Sequence, residues 1–229
     1  MQQLEQILKK RQNEFHKIID FNIINDKLFK LDFSSANIEL SLTDITDTDK
    51  FSQYINNKLH NASCKYGIGG YNENRILYKR SQLFGGEEPR VIHLGIDIWG
   101  SAGTKVYAPL GGMVHSYAFN NNLGDYGATM ILLHQLETVA FYTLYGHLQL
   151  KDLDQLHEGK YISRGEVIGH FGEPAENGNW PPHLHFQIIK DINLKEGDYP
   201  GVCSLSEREK YLDNCPDPDF ILGMMQYAS

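Results

Sequence analysis

From about Gly67 onward the chain breaks into short runs rich in Val, Ile, Tyr and Phe, each closed off by turn residues. The runs cover 90–98, 105–108, 112–119, 128–134, 139–148, 167–171 and 183–189. Dense turn signals at 100–103, 120–127, 135–137 and 172–182 punctuate them. Short strands joined in this way predict an antiparallel sheet or a barrel-like β domain. No long helical pattern alternates with them, so a doubly wound α/β fold is disfavoured. The expected class is mainly β (α+β), with the β domain at 61–200. Before it, residues 1–20 repeat Leu4, Ile7, Leu8, Phe15, Ile18 and Ile19 near the helical period, and 47–60 repeat Phe51, Tyr54, Ile55 and Leu59. The segment 27–42 reads as irregular or short-strand material, so residues 1–60 form a partly helical accessory region. The tail 201–229 is expected to pack on the β domain, with a helical turn or two at 206–212.

Of the 229 residues, 41% are hydrophobic and 22% charged, which is ordinary for a folded protein and argues against disorder. The net charge of −8, from 29 acidic and 21 basic residues, provides no attractive field for nucleic acid or an anionic membrane. No apolar run reaches the roughly 18 residues of a membrane span, and the N-terminus has no signal-peptide core. A cytoplasmic location is the expectation from that absence, with export by another route as the alternative. Cys64, Cys203 and Cys215 are too few and too scattered for a disulfide framework or a thiolate metal site. Cys203 and Cys215 are close enough in sequence to pair across a short loop, although a reducing compartment is the simpler setting.

Three histidine-bearing segments hold the chemistry. In Pro181-Pro-His183-Leu-His185-Phe, residues two apart on a strand face one way, so His183 and His185 share a face and Leu184 and Phe186 the other. Such a pair can share a metal, or one can bind it while the other handles protons. It can also be two surface histidines on a half-exposed strand. In His93-Leu-Gly95-Ile-Asp97, the outer residues would stand about 13 Å apart on an extended strand, too far for one zinc. If both bind, the chain must bend, and Gly95 is where a bend costs least. Otherwise Asp97 caps the turn before Gly100. In Tyr145-Gly146-His147, alternation puts Tyr145 and His147 on one face, and Gly146 permits close approach; a purely structural histidine is the competing reading.

Taken in this order, the three segments resemble the lysostaphin-like zinc endopeptidases that cleave bacterial peptidoglycan. The resemblance implies one zinc per chain held by His93, Asp97 and His185, with His147 and His183 beside the reacting water. Ala108-Pro109, Gly111-Gly-Met-Val and the run from Gly159 to Gly172 are similar to the family's flanking segments. Further stretches, among them Leu31-Asp-Phe-Ser, Tyr66-Gly-Ile-Gly and Cys215-Pro-Asp-Pro-Asp, look like a subgroup. Its modules also occur in multidomain proteins beside kinase-like and aminotransferase-like domains.

The resemblance implies peptide hydrolysis, with His183 or His147 moving the proton and His147 or Tyr145 donating to the oxyanion. A His-Glu-x-x-His helix is absent, so no glutamate base is expected. The leading expectation is an endopeptidase acting on peptidoglycan stem or cross-link peptides. A cytoplasmic zinc hydrolase of a small amide or peptide, and a non-catalytic zinc-containing binding module, are the competing classes. Residues 1–60 are expected to contact the rim of the groove and restrict access. Trp180 is a candidate groove residue, Trp99 a core one. His16, His60, His115, His134, His157 and His170 are expected to stay away from the metal.

Overall fold

The computed structural model describes residues 3–229; Met1 and Gln2, at the head of the first predicted helix, lie outside the described residues. In chain order the elements are α1 (Gln3–Arg11), β1 (Leu28–Lys30), α2 (Ile38–Ser41), α3 (Thr48–Asn61), β2 (Tyr66–Gly69), β3 (Ile92–His93), β4 (Ile96–Trp99), β5 (Lys105–Tyr107) and β6 (Gly112–Asn120). There follow β7 (Gly127–Leu136), β8 (Val139–Leu148), β9 (Tyr161–Ile162), β10 (Val167–His170), β11 (His183–Ile189), β12 (Val202–Cys203), α4 (Arg208–Asn214) and α5 (Asp219–Leu222).

Eight strands form one sheet in the order β1-β2-β4-β11-β8-β7-β6-β9, and β5–β10 and β3–β12 make two small ribbons. All pairings are antiparallel except β1 with β2, which run parallel. The sheet is open, and it is mixed rather than purely antiparallel because the accessory region adds β1 at one edge. Every residue of β11 is buried, since it is hydrogen-bonded to β4 and β8 and covered on both faces. On one face Leu184, Phe186 and Ile188 join Tyr145, Met130 and Leu132 in the largest core cluster. The other face carries the histidines.

Residues 1–60 are bound into this body. Asp47 caps α3, its carboxylate accepting from the backbone of Asp49 and Lys50. Phe51, Tyr54, Ile55 and Leu59, the apolar stripe of the sequence, are all buried. The helix predicted over 1–20 stops at Arg11, because the backbone beyond it is recruited by the β domain. His16 N donates to Pro109 O, and Tyr107 N donates to Ile18 O, so Ile18 and Ile19 are buried without being helical. In the tail, α5 lies against α1 through Ile221, Leu4 and Leu8. The helical turn anticipated at 206–212 is α4. The three cysteines are free, so Cys203 and Cys215 are not paired. Among the described residues no helix is long and apolar enough to cross a membrane.

His134, on β7, gives a stability prediction away from the site. It is 1% exposed, donates from Nδ1 to Gly111 O and meets Thr143 Oγ1 through Nε2. Burial pushes its pKa down to about 4. Between that value and the unfolded pKa of about 6.5, the unfolded chain binds the extra proton, so stability is full above 6.5 and falls as pH drops. Over that window His134 is expected to account for about 3 kcal/mol of acid destabilisation. Denaturant titrations of the metal-free chain at a series of pH values check this. If His134→Gln leaves the slope of stability against pH unchanged, the assignment is wrong.

Candidate metal centre

The His-x-x-x-Asp segment is not one strand. Ile92–His93 pairs with Val202–Cys203, whereas Ile96–Trp99 enters the main sheet between β2 and β11, and the chain turns between them at Leu94-Gly95. A Cβ at Gly95 would stand 2.5 Å from His185 Cε1 and 2.8 Å from Phe186 O, so only glycine lets this turn lie against β11. The bend brings His93 and Asp97 side by side, and β11 supplies His185 opposite Asp97 in register. His93 Nε2 lies 3.0 Å from His185 Nδ1 and 3.3 Å from Asp97 Oδ1, and His185 Nδ1 lies 3.0 Å from Asp97 Oδ1. Gly95→Ala is expected to disrupt this triangle and lower zinc occupancy, read as metal content of the purified variant. Full occupancy would show that the close approach is dispensable.

The protons show what the triangle is for. His93 Nδ1 donates to Gly70 O at 3.1 Å. His185 Nε2 donates to Gln187 Oε1 at 2.9 Å, and Gln187 is fixed in that orientation because its Nε2 donates to Pro200 O and Cys215 Sγ. In the neutral imidazoles this leaves His93 Nε2 and His185 Nδ1 bare, so two lone pairs and a carboxylate oxygen converge with no proton between them. Burial and the Arg75 cation push the His93 pKa down to about 3, so protonation does not supply the missing positive charge. Burial opposes ionisation of Asp97, but the adjoining His93 and the Arg75 guanidinium hold its carboxyl well below the usual range. Tetrahedral zinc with N and O ligands at ~2.0–2.1 Å needs ligand atoms about 3.3 Å apart. The three atoms fit that requirement, and among the described residues His93, Asp97 and His185 form the group that could hold a metal ion. Because Gln187 fixes which His185 nitrogen is bare, Gln187→Ala is expected to weaken zinc binding about 10–100-fold. Chelator competition measures this; unchanged affinity would remove Gln187 from the site.

His147 and His183 stand beside the triangle. Their rings are 4.1 Å apart, and His147 is 6.4 Å from the His185 ring. His147 Nδ1 donates to Asn177 O and His183 Nδ1 donates to Pro181 O, both at 2.8 Å, leaving each Nε2 unprotonated. Burial pushes the His183 pKa down to about 4, and burial with the neighbouring His183 pushes His147 well below its ordinary value. Asn177 is fully buried and holds the preceding loop by donating to Gly172 O and Trp180 O. All five residues line a cavity of about 210 Å³.

Tyr145 is the one sequence candidate that the fold places elsewhere. It is fully buried in the main core, its ring 5.3 Å from Phe186 and its hydroxyl bonded to Thr143. Strand alternation fails between Tyr145 and His147 because His147 has a left-handed φ of 63° and the β7–β8 register shifts there. The phenol at the site is that of Tyr126, whose ring packs where a Cβ of Gly146 would be, 2.5 Å from Tyr126 Cδ1. Tyr126 Oη is 3.5 Å from His185 Nε2, and burial with nearby Asp198 pushes its pKa well above 10, so it remains a donor. Its sequence signal was only a tyrosine in a glycine-flanked turn. Trp180 lines the cavity as expected, and Trp99 is more than core: its ring stacks on His183 at 3.9 Å and 12°. None of the six remaining histidines lines the cavity, and neither does any described residue of 1–60. The accessory region instead backs the site, with Phe33 and Phe51 packed on Trp99 and Thr48 Oγ1 donating to Asn179 O.

Comparison with known proteins finds similarity to peptidases. Residues 91–197 match the model of peptidase family M23. The chain is 29% identical over 142 residues to an L-Ala–D-Glu endopeptidase of Bacillus subtilis, covering 60% of this chain. It spans 40% of that relative's length. Among solved structures, the lysostaphin catalytic domain of Staphylococcus simulans aligns over 69% of this chain and 97% of its own, at 21% identity and a TM-score of 0.41. A zinc-containing peptidase from Vibrio cholerae aligns over 43% of this chain and 27% of its own, at 26% identity and a TM-score of 0.35. The ligand triangle lies inside the residues that match the model of peptidase family M23.

Proposed function

We propose that this chain is a zinc-dependent endopeptidase that hydrolyses peptide bonds in peptidoglycan stem or cross-link peptides. The observation that carries the reading is the convergence of three proton-free ligand atoms beside two neutral imidazoles on one open cavity. The Bacillus relative, named for the L-Ala–D-Glu bond, supports the choice of stem peptides.

His93 Nε2, Asp97 Oδ1 and His185 Nδ1 would hold the metal. Zinc bound there supplies Lewis-acid polarisation of the scissile carbonyl and lowers the pKa of water. His147 and His183 present free Nε2 atoms that take the proton from the attacking water and return it to the leaving amine. The Tyr126 hydroxyl, held as a donor by its raised pKa, faces the charge that develops on the carbonyl oxygen. Trp99, stacked on His183, and Asn177, bonded to His147, fix the two rings.

Purified peptidoglycan incubated with the zinc-loaded chain should release new peptide ends, seen by mass spectrometry of the muropeptides and lost with a chelator. Intact muropeptides beside metal-dependent cleavage of a small amide would overturn the substrate assignment. That outcome would favour the small-molecule hydrolase reading.

A further inference from the structure

We infer that the cavity is built to receive a free carboxylate carried by the substrate, and that Arg75 grips it. The word substrate rests on the hydrolase reading above, whereas the binding itself does not require turnover. Arg75 is 1% exposed yet lines the cavity. Its Nε donates to Glu73 Oε2 at 2.7 Å and its Nη1 donates to Asp97, while Nη2 is buried with no hydrogen-bond partner. Trp99, another wall of the cavity, has a buried Nε1–H that is likewise unpartnered. Both pack on Phe33, the Arg75 guanidinium 5.2 Å over its ring and the Trp99 ring 5.4 Å from it.

A buried donor left unpaired is costly, and two such donors lining one cavity point to an acceptor that arrives with the ligand. Charge selects the kind of acceptor. Glu73 and Asp97 outnumber Arg75 by one negative charge; a divalent metal turns the excess positive, and a single carboxylate neutralises it. A guanidinium is also the side chain best suited to a planar carboxylate. Arg90 and Lys195 add positive charge to the lining. The acidic residues Asp125 and Asp198 also line the cavity, where they act on Tyr126. The carboxylate can be a peptide C-terminus or an acidic side chain next to the cleaved bond, since the chemistry read by Arg75 is the same.

Three probes test this on the zinc-loaded full chain: N-acetyl-alanyl-alanine, N-acetyl-alanyl-aspartic acid amide and neutral N-acetyl-alanyl-alanine amide. Binding is read by titration calorimetry, and peptide integrity by mass spectrometry. At least one carboxylate probe should bind about 10-fold or more tightly than the neutral one, and the one that does identifies the source. Arg75→Lys, which keeps a cation for Asp97 but lacks the second guanidinium nitrogen, should shrink that ratio toward one. Trp99→Phe, which keeps the ring and deletes the donor, should reduce it by a few-fold. Equal binding of all three probes by the unmodified chain overturns the inference. So does a preference undiminished in Arg75→Lys and Trp99→Phe, because the metal alone would then be holding the carboxylate. Preference without cleavage would leave the carboxylate site standing and bring down the hydrolase reading instead.

Discussion

Replacing Asp97 by alanine is expected to empty the metal site, abolish hydrolysis and destabilise even the metal-free chain. Two effects combine at this one carboxylate. Its Oδ1 completes the triangle with His93 Nε2 and His185 Nδ1, and its Oδ2 is the partner of the buried Arg75 guanidinium. Removing it leaves a fixed positive charge, 1% exposed, with only Glu73 for company. Breaking a buried pair by deleting one partner typically costs about 3–5 kcal/mol. His93→Ala and His185→Ala are likewise expected to lose zinc, but without stranding a charge. They also relieve a cluster in which bare lone pairs face one another when no cation is present. The order to look for is therefore equal loss of zinc in the three variants, with a fall in metal-free thermal stability largest for Asp97→Ala. Metal analysis together with unfolding curves in chelator measures both. Stoichiometric zinc in the purified Asp97→Ala chain would show the ligand set to be wrong.

The same residues show how far the sequence could be read. His183 and His185 were legible because a strand has a period of two and both neighbours, Leu184 and Phe186, are apolar. The bend at Gly95 was legible because the distance along an extended strand is incompatible with a shared metal, which forces a break where a side chain is missing. Tyr145 was misplaced because the same period-two rule was carried across His147, whose left-handed backbone changes the phase. No local pattern announces such a residue when it is not glycine. Arg75, Tyr126 and Gln187 escaped for a different reason. Each acts through partners far along the chain, Arg75 with Asp97, Tyr126 with His185, and Gln187 with Pro200 and Cys215 as well as His185. A contact made only by the fold leaves no trace in spacing. The accessory region illustrates the same point: its apolar stripe was clear, but that Phe33 and Phe51 hold Trp99 against His183 depends on which face of the sheet they cover.

The second large effect is expected at His147 and His183, where alanine should spare the metal and remove turnover. Neither ring contributes an atom to the ligand triangle, and each is anchored separately, His147 by Asn177 O and His183 by Pro181 O. Zinc content should therefore stay near one per chain in both variants. Turnover should fall about 10²–10⁴-fold in each, the usual contribution of general acid–base catalysis. The two rings lie 4.1 Å apart and share one environment, so the double variant should be little worse than the poorer single one. The surroundings also separate chemistry from scaffolding. Asn177→Ala keeps both imidazoles and the backbone carbonyl that His147 Nδ1 donates to, but removes the side-chain bonds to Gly172 and Trp180 that hold that carbonyl's loop, so it should lower turnover while retaining zinc. Zinc analysis beside peptide-cleavage rates on the same preparations decides the matter. Loss of zinc from His147→Ala or His183→Ala would move that histidine into the ligand set, and full turnover in either would strip it of the proton-handling role.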